Sequence, residues 1–340
     1  MRRGRITGTG SYAPERVMTN ADLEQLVATS DEWIRERTGI RERRIAAPEQ
    51  ACSDLGLIAA ERALKAAGLS GSDLDLILLA TCTGDMPLPS TACLLQHRLG
   101  ATRAAACDIS AACCGFVYAL GVADAYVRTG MRHVLVVGSE VMSTITDWTD
   151  RNTCILFGDG AGAAVVSAAE GERGILSTHL HSDGSLSDLI VVPGGGTRIP
   201  PSEAMMDERS QYIKMKGNET FKVAVRTLEE VARETLTAHQ LSIDDLDLYI
   251  PHQANLRIIE ATAKLLKPGA PLVYAVCSLE PEEGPGVVAA ALRNGWKRAP
   301  LANEVPSEFI TADGDLRTHP GHWPEIGGLD GFYAARLLRS

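Results

Sequence analysis

LKAAGLSGSDLDL begins at residue 64 and LTAHQLSIDDLDL begins at residue 236, so the two segments lie 172 apart in a chain of 340. Without gaps they agree at Leu64/Leu236, Ala66/Ala238, Leu69/Leu241, Ser70/Ser242, Asp73/Asp245, Leu74/Leu246, Asp75/Asp247 and Leu76/Leu248. Each reads as the end of a helix, a turn and the start of a strand. Agreement this dense at about half the chain length points to an internal duplication rather than a chance likeness of helix–turn–strand units. Two related halves pack about a pseudo-two-fold axis, and their equivalent strands end at Cys82 and near His252. Ligands of open α/β sheets collect beyond the carboxyl ends of strands, so both ends are candidate site walls.

Outward from this repeat, strand-like apolar runs (76–82, 133–138, 246–250 and 271–277) alternate with helix-like segments (52–67, 91–99, 113–128, 220–238 and 255–266). Short, nearly continuous apolar strands imply a sheet buried on both faces, the α/β pattern. Apolar residues make up 45% and charged residues 22%, enough for a core and against disorder. Only 5% are aromatic while Ala and Gly abound, which predicts close helix–sheet packing. The length suits two domains. A net charge of −10 argues against nucleic-acid binding by bulk charge, and any acidic partner must meet a local basic patch. The opening MRRGRITGTG lacks the apolar core of a signal peptide. No run approaches the ~18 apolar residues of a spanning helix, so a cytoplasmic chain with no membrane partner is expected. Cysteines at 52, 82, 93, 107, 113, 114, 154 and 277 form no CxxC pair, which indicates neither a metal site nor a disulfide framework. They read as reduced, mostly buried thiols.

The segment CDISAACCGFVYALGVADAYVRTG (107–130) carries the chemistry. A short strand ends near Asp108, and a helix runs from about Cys113 to Arg128 with Gly130 as its stop. Phe116, Val117, Tyr118, Leu120 and Val122 predict a buried helix start. A thiol in that first turn feels unsatisfied N–H groups and the positive dipole end, which lower its pKa and make a nucleophile. A packed core cysteine is the competing reading. Other motifs carry less. FGDGAG (157–162) is followed by a strand-like AAVVSAA, so it reads as a hairpin turn and not a phosphate loop. GTGSYA is a weak dinucleotide fingerprint. His179 and His181 share one strand face without a third ligand.

AACCGFVYAL resembles the nucleophile segment of the 3-oxoacyl-[acyl-carrier-protein] synthase III family. DEWIRERTGIRER (31–43), LPSTACLLQHRLG (88–100), FGDGAGAAV (157–165), THLHSDG (178–184), GNETFKVAV (217–225) and PHQANLRIIEATAKLL (251–266) resemble it in the same order, over residues 1–267. The resemblance implies an α/β, thiolase-like duplicated five-layer α-β-α-β-α fold with an atypical C-terminal segment. An N-terminal half (1–172) holds the nucleophile, the start of a second half (173–267) holds the histidine, and 268–340 completes or replaces its end. It also implies an acyltransferase of fatty-acid initiation, condensing acyl-CoA with malonyl-acyl-carrier protein with loss of carbon dioxide. Cys113 is then the thioester-forming nucleophile, with Cys114 a spectator. His252 stabilises the enolate by a hydrogen bond. Trp33, Arg37 and Arg151 match the CoA-binding entrance, and Leu88 lies where the dimer partner meets the acyl pocket. Lys222 and Arg257, with Lys214, Arg43 and Arg44, match or extend the carrier-docking patch. The resemblance further implies a homodimer that needs no cofactor or metal.

After Leu266 the pattern changes. The family's Asn, its third catalytic residue, falls by spacing near Glu282, whose carboxylate cannot donate to an oxyanion. The Gly-rich terminal hairpin is also missing. Condensation is therefore expected to be impaired, since one lost donor costs ~10²–10³ in rate. LVYAVCSLEPEEGPGVVAAAL (272–292) and LRTHPGHWPEIGGLDGFYAARLLR (316–339) resemble instead the end of ribosomal-RNA cytosine-5 methyltransferases, with Cys277 at the catalytic-site thiol. No S-adenosylmethionine loop precedes them. The chain reads as a chimera, and an inactive fusion or an S-adenosylmethionine-dependent methyltransferase stand as alternatives. The run 271–277 is expected as a strand, GVVAAALRNG (286–295) as a helix and GFYAARLL (331–338) as a terminal strand, with IGGLDG (326–331) as a weak copy of the Gly-rich turn. The remainder, 293–325, is expected to be loop-like.

Overall fold

The described parts of the two copies build the same helix end and turn. The helices end at Ala67 and Ala238. Gly68 and Gln240 follow with left-handed backbones, and Leu69 and Leu241 donate back to the carbonyls of Leu64 and Leu236. The Asp73 carboxylate accepts from both the N–H and the hydroxyl of Ser70, at 2.8 and 2.7 Å. Asp245 does the same for Ser242, at 2.8 Å for each bond. Identical side chains at these turn positions build identical hydrogen-bonded turns.

The computed structural model describes residues 2–246, 249–263, 271–276, 285–293, 295–301, 307–318 and 332–339. In chain order the strands are β1 (Arg2–Tyr12), β2 (Arg16–Thr19), β3 (Glu42–Ile45), β4 (Leu76–Ala80), β5 (Ala105–Ile109), β6 (His133–Val141), β7 (Asp159–Glu170), β8 (Ile190–Val191), β9 (Lys214–Met215), β10 (Pro271–Val276), β11 (Trp296–Arg298), β12 (Leu316–Thr318) and β13 (Phe332–Arg339). The α-helices are α1 (Asn20–Glu24), α2 (Asp31–Thr38), α3 (Cys52–Ala67), α4 (Thr91–Arg98), α5 (Gly115–Thr129), α6 (Glu203–Asp207), α7 (Gly217–Ala238), α8 (Leu256–Ala263) and α9 (Pro285–Arg293). Two compact units result, Met1–Ala28 with Glu42–Gly217, and Thr29–Arg41 with Asn218–Ser340.

The first unit is built on a five-stranded sheet of order β1-β7-β6-β4-β5. The β6-β4-β5 pairs are parallel, and the β1-β7-β6 pairs are antiparallel. Successive strand residues point to opposite faces, and both faces are covered. Ile77, Leu79, Leu135, Val137 and Val165 pack with Leu55, Ala59 and Ala63 of α3. Leu76, Leu78, Val134, Val136 and Val166 pack with Ala119, Ala123 and Val127 of α5. Each such buried aliphatic contributes roughly 1.5–3 kcal/mol. The predicted close approach lies between β1 and α3, where a Cβ on Gly10 would sit 2.3 Å from the Ala59 carbonyl. The sheet ends on one side at β5, which has β4 as its single neighbour among the described residues.

The second unit holds α2, α7, α8 and a small antiparallel sheet. In it β13 pairs with β10, β11 and β12. Val288 of α9 packs with Ala335 and Leu337 of β13. The strand expected from 271, the helix from 286 and the terminal strand are all present. IGGLDG lies outside the described residues.

Four expectations need correction. Leu246, Tyr249 and Ile250 form no strand. FGDGAG is not a turn, because its Asp159–Gly162 portion pairs inside β7 with Val141–Gly138 of β6. His179 and His181 lie in irregular chain rather than on a strand. The region 293–325 is not merely loop: β11, β12 and buried Phe309 belong to it. Three-residue strands rich in Lys and Arg show no apolar periodicity, and pairing with β13 defines them.

Candidate active site

Cys113 lies in the connection from β5 to α5. Ala112 has φ 46°, a left-handed backbone unusual for a residue with a Cβ. Ala112–Cys114 then form one 3₁₀ turn, and the α-helix starts at Gly115. A Cβ on Gly115 would come within 2.9 Å of the Ala80 Cβ, so a glycine here lets the helix start close against the end of β4. The start of α5 is not buried all round. Ala119, Ala123 and Val127 face the sheet, whereas Val117 is exposed and Phe116, Tyr118, Leu120 and Val122 are half-buried.

The expectation of a buried, ionised sulfur is overturned. Cys113 is exposed as a residue. Protein still crowds its thiol, and desolvation, then Cys114 and Glu140, push the pKa up against the opposing pull of its own N–H. Placement ahead of the helix leaves the thiol one favourable amide, too little to offset desolvation. The cysteines at large are also less buried than expected. Among those described, Cys52 and Cys154 are buried, while Cys82, Cys93, Cys107, Cys113 and Cys114 are exposed. The exposed ones occupy the edge strand, one end of the sheet and a helix surface.

Next to this turn lies a carboxylate that sequence reasoning missed. Glu140 of β6 accepts from the Cys82 N–H at 2.8 Å, from the Thr83 hydroxyl, and from the Thr81 hydroxyl at 3.3 Å. Burial pushes its pKa up. Burial and then Glu140 push the Cys82 thiol's pKa up, against the opposing influence of the Ala112 N–H and the Ser110 hydroxyl. The strand-end rule already marked Cys82, and the same rule applied to β6 finds Glu140.

In the second unit, His252 follows buried Pro251 in irregular chain and is itself exposed. Desolvation by the protein around the ring lowers its pKa below the usual value, so the imidazole is neutral at pH 7. Trp33 and Arg37 share α2, capped by Ser30, and the Arg37 guanidinium lies 4.2 Å from the Trp33 ring centre. Lys222 on α7 and Arg257 on α8 are both exposed, and Arg257 stacks on Phe221. Glu282 and Cys277 lie outside the described residues.

In the first unit, Arg151 is exposed and donates to the Ala28 carbonyl at 3.1 Å. Leu88 is 84% exposed in the loop between β4 and α4. Arg43 is buried, holding Asn20 and the Ile155 carbonyl. Arg44 pairs with Glu42 and donates to Pro14. Lys214 pairs with Asp147 at 3.8 Å. Burial takes Arg43 out of any surface patch, while Arg44 and Lys214 stay partly exposed.

A family model described as 3-oxoacyl-[acyl-carrier-protein (ACP)] synthase III matches residues 107–184, and one described as 16S rRNA methyltransferase RsmB/F matches residues 236–338. The beta-ketoacyl-[acyl-carrier-protein] synthase III of Alkalilimnicola ehrlichii is 57% identical over 270 residues, covering 78% of this chain and 82% of that protein. The one from Caldanaerobacter subterraneus is 50% identical over 294 residues, covering 86% and 89%. The crystal structure of 3-oxoacyl-[acyl-carrier-protein] synthase III from Aquifex aeolicus superposes with a TM-score of 0.72 at 39% identity, covering 99% of this chain and 100% of that one. The second family match supports a chimeric tail on a thiolase-like α/β body. On the extent and identity of these matches, the chain belongs to the 3-oxoacyl-[acyl-carrier-protein] synthase III family.

Proposed function

We propose that the chain takes an acyl group from acyl-CoA onto Cys113 and condenses it with malonyl-acyl-carrier protein. The Cys113 sulfur attacks the thioester carbonyl, and CoA leaves with the thiol proton. Malonyl-carrier protein then loses carbon dioxide, and its enolate carbon displaces the acyl group from sulfur. Neutral His252 donates a hydrogen bond to the enolate oxygen. The observation that carries this reading is an exposed thiol at a left-handed turn between the edge strand and α5. Trp33 with Arg37, and Arg151, bind the adenine and phosphates of CoA. Lys222 and Arg257 hold the acidic carrier.

The open edge of β5 and exposed Leu88 support a homodimer formed along that edge. No cofactor beyond the two substrates enters the reading, and its setting is the cytoplasm. With a carboxylate at the family's Asn distance, acylation outpaces condensation. Intact-mass spectrometry after incubation with acetyl-CoA tests the first half, and an unmodified Cys113 peptide removes it. Release of carbon dioxide from radiolabelled malonyl-carrier protein tests the second.

A further inference from the structure

Asp147 has no role in the reaction just described, yet it organises the stretch that carries Arg151. Its side chain is 5% exposed. Arg209 grips it twice, Nε donating to Oδ2 at 2.9 Å and a terminal nitrogen to Oδ1 at 2.5 Å. A guanidinium fork on a carboxylate fixes orientation as well as charge. Oδ1 also accepts the Thr149 N–H at 2.9 Å and the Thr149 hydroxyl at 2.6 Å. The Asp147 carbonyl accepts the Asp150 N–H at 3.0 Å. Asp150 then holds the Asn152 N–H at 3.0 Å and the Thr153 hydroxyl at 2.9 Å through its carboxylate, and the Cys154 N–H at 3.0 Å through its carbonyl. Arg151 sits between these two bonded turns, and its exposed side chain donates to the Ala28 carbonyl at 3.1 Å.

The other end of the grip is equally defined. Arg209 has φ 54°, a left-handed backbone that a residue with a Cβ keeps only where its surroundings hold it. Its guanidinium lies 4.9 Å from the Tyr212 ring centre. The Ile213 N–H donates to the Ile145 carbonyl at 2.8 Å, so the two segments are tied by backbone as well as by the ion pair. Arg209 holds the Asp147 carboxyl well below the usual carboxylate range, and its own charge offsets the negative charge that would otherwise oppose a phosphate near Arg151. We propose that Asp147 and Arg209 are positioning residues for CoA: the ion pair between them fixes the turn that presents the Arg151 guanidinium to the phosphates. This rests on Arg151 being a CoA-binding residue of the proposed function.

The test compares acetylation of Cys113 from acetyl-CoA with acetylation from S-acetyl-N-acetylcysteamine, a thioester without the nucleotide, in the full chain. Arg209→Ala raises the acetyl-CoA concentration for half-maximal rate about fivefold, the cost of ordering one long side chain only on binding. The saturated rate and the rate from the short thioester stay within about twofold, since neither depends on phosphate contacts. Arg209→Lys keeps the charge without the fork and recovers part of the loss. In an Arg151→Ala chain, Arg209→Ala adds less than about twofold, because residues that act through one another are not additive. Equal losses with both thioesters, no loss with either, or the full effect added on top of Arg151→Ala overturns the proposal. Should Arg209→Ala fail to fold, Thr149→Val removes the 2.6 Å hydroxyl bond at an exposed position and decides by the same comparisons. An unsubstituted chain that uses both thioesters equally well, or neither, sinks the proposed CoA site itself.

Discussion

Gln240 occupies, at φ 55°, the left-handed position that Gly68 occupies at φ 68° in the other copy of the repeat. Both follow a helix end and precede a Ser-to-Asp capped turn. Glycine meets this backbone without cost, whereas glutamine is strained there. Gln240 is exposed, so replacing its side chain removes little packing. Gln240→Gly should therefore stabilise the chain by about 0.5–1 kcal/mol, read as a higher midpoint in urea. An unchanged or lower midpoint shows that the turn is not held in the left-handed form.

Cys113 and Cys114 are adjacent, exposed and chemically equal, so their separation is a demanding check on the assigned nucleophile. Cys113→Ala should abolish the acetyl adduct. Cys114→Ala should leave it within about threefold of the original rate, since a neighbouring thiol contributes only weak electrostatics. Adduct formation on Cys114 in the Cys113→Ala chain reverses the assignment.

The repeat was readable because its turn is chemical. Ser, Asp and the leucines act through local bonds that a sequence displays directly. The sheet of the first unit was readable through β4 and β6, whose residues are apolar on both faces. Cys113 was found from its segment, but its electrostatics were not. One residue's offset between a 3₁₀ turn and the α-helix start decides whether amides or desolvation dominate. Glu140 escaped notice because an acidic residue at a strand end resembles any solvated charge until its three donors are seen. Arg43 failed in the opposite direction, since the fold buries it against Asn20 and a carbonyl. The short strands β11 and β12 exist only through pairing with β13, which no local pattern encodes.

The two titrating groups shift in opposite directions, and the pH dependence follows. The Cys113 pKa is raised, so thiolate reactivity should climb through a midpoint above the ~8.5 of a free thiol. The His252 pKa is lowered from 6.5, so its neutral form persists below that value. In the window between its lowered folded pKa and 6.5 the unfolded chain binds more protons, so this group's stability contribution shrinks as pH falls through it. Iodoacetamide kinetics on the Cys113 peptide and a titration of the imidazole by NMR check the two signs. A Cys113 midpoint below 8.5 contradicts the desolvated thiol.

Lys222 and Arg257 are exposed on α7 and α8 of one unit, with Arg257 held over Phe221. In the proposed reaction the carrier protein is the acidic substrate, so reversing both charges should raise its KM about tenfold with kcat nearly unchanged, and flatten the salt dependence of kcat/KM. Acetylation of Cys113 from acetyl-CoA should be unaffected. An equal loss in both half-reactions places these residues outside carrier docking.

The tail beyond the resemblance has its own ion pair, which predicts that it is a folded part of the second unit. Arg298 of β11 lies 3.2 Å from both Asp315 and Asp313. Asp315 is 2% exposed, and its carboxylate lies against that cation. Removing one partner of a buried pair strands the other, at a cost of about 3 kcal/mol. Arg298→Ala should therefore expose the chain around β11 and β12 to limited proteolysis at protease levels that leave the unsubstituted protein whole. Asp313→Ala removes the exposed partner and should cost under about 1 kcal/mol. Equal cleavage of all three chains shows that the ion pair does not stabilise the tail.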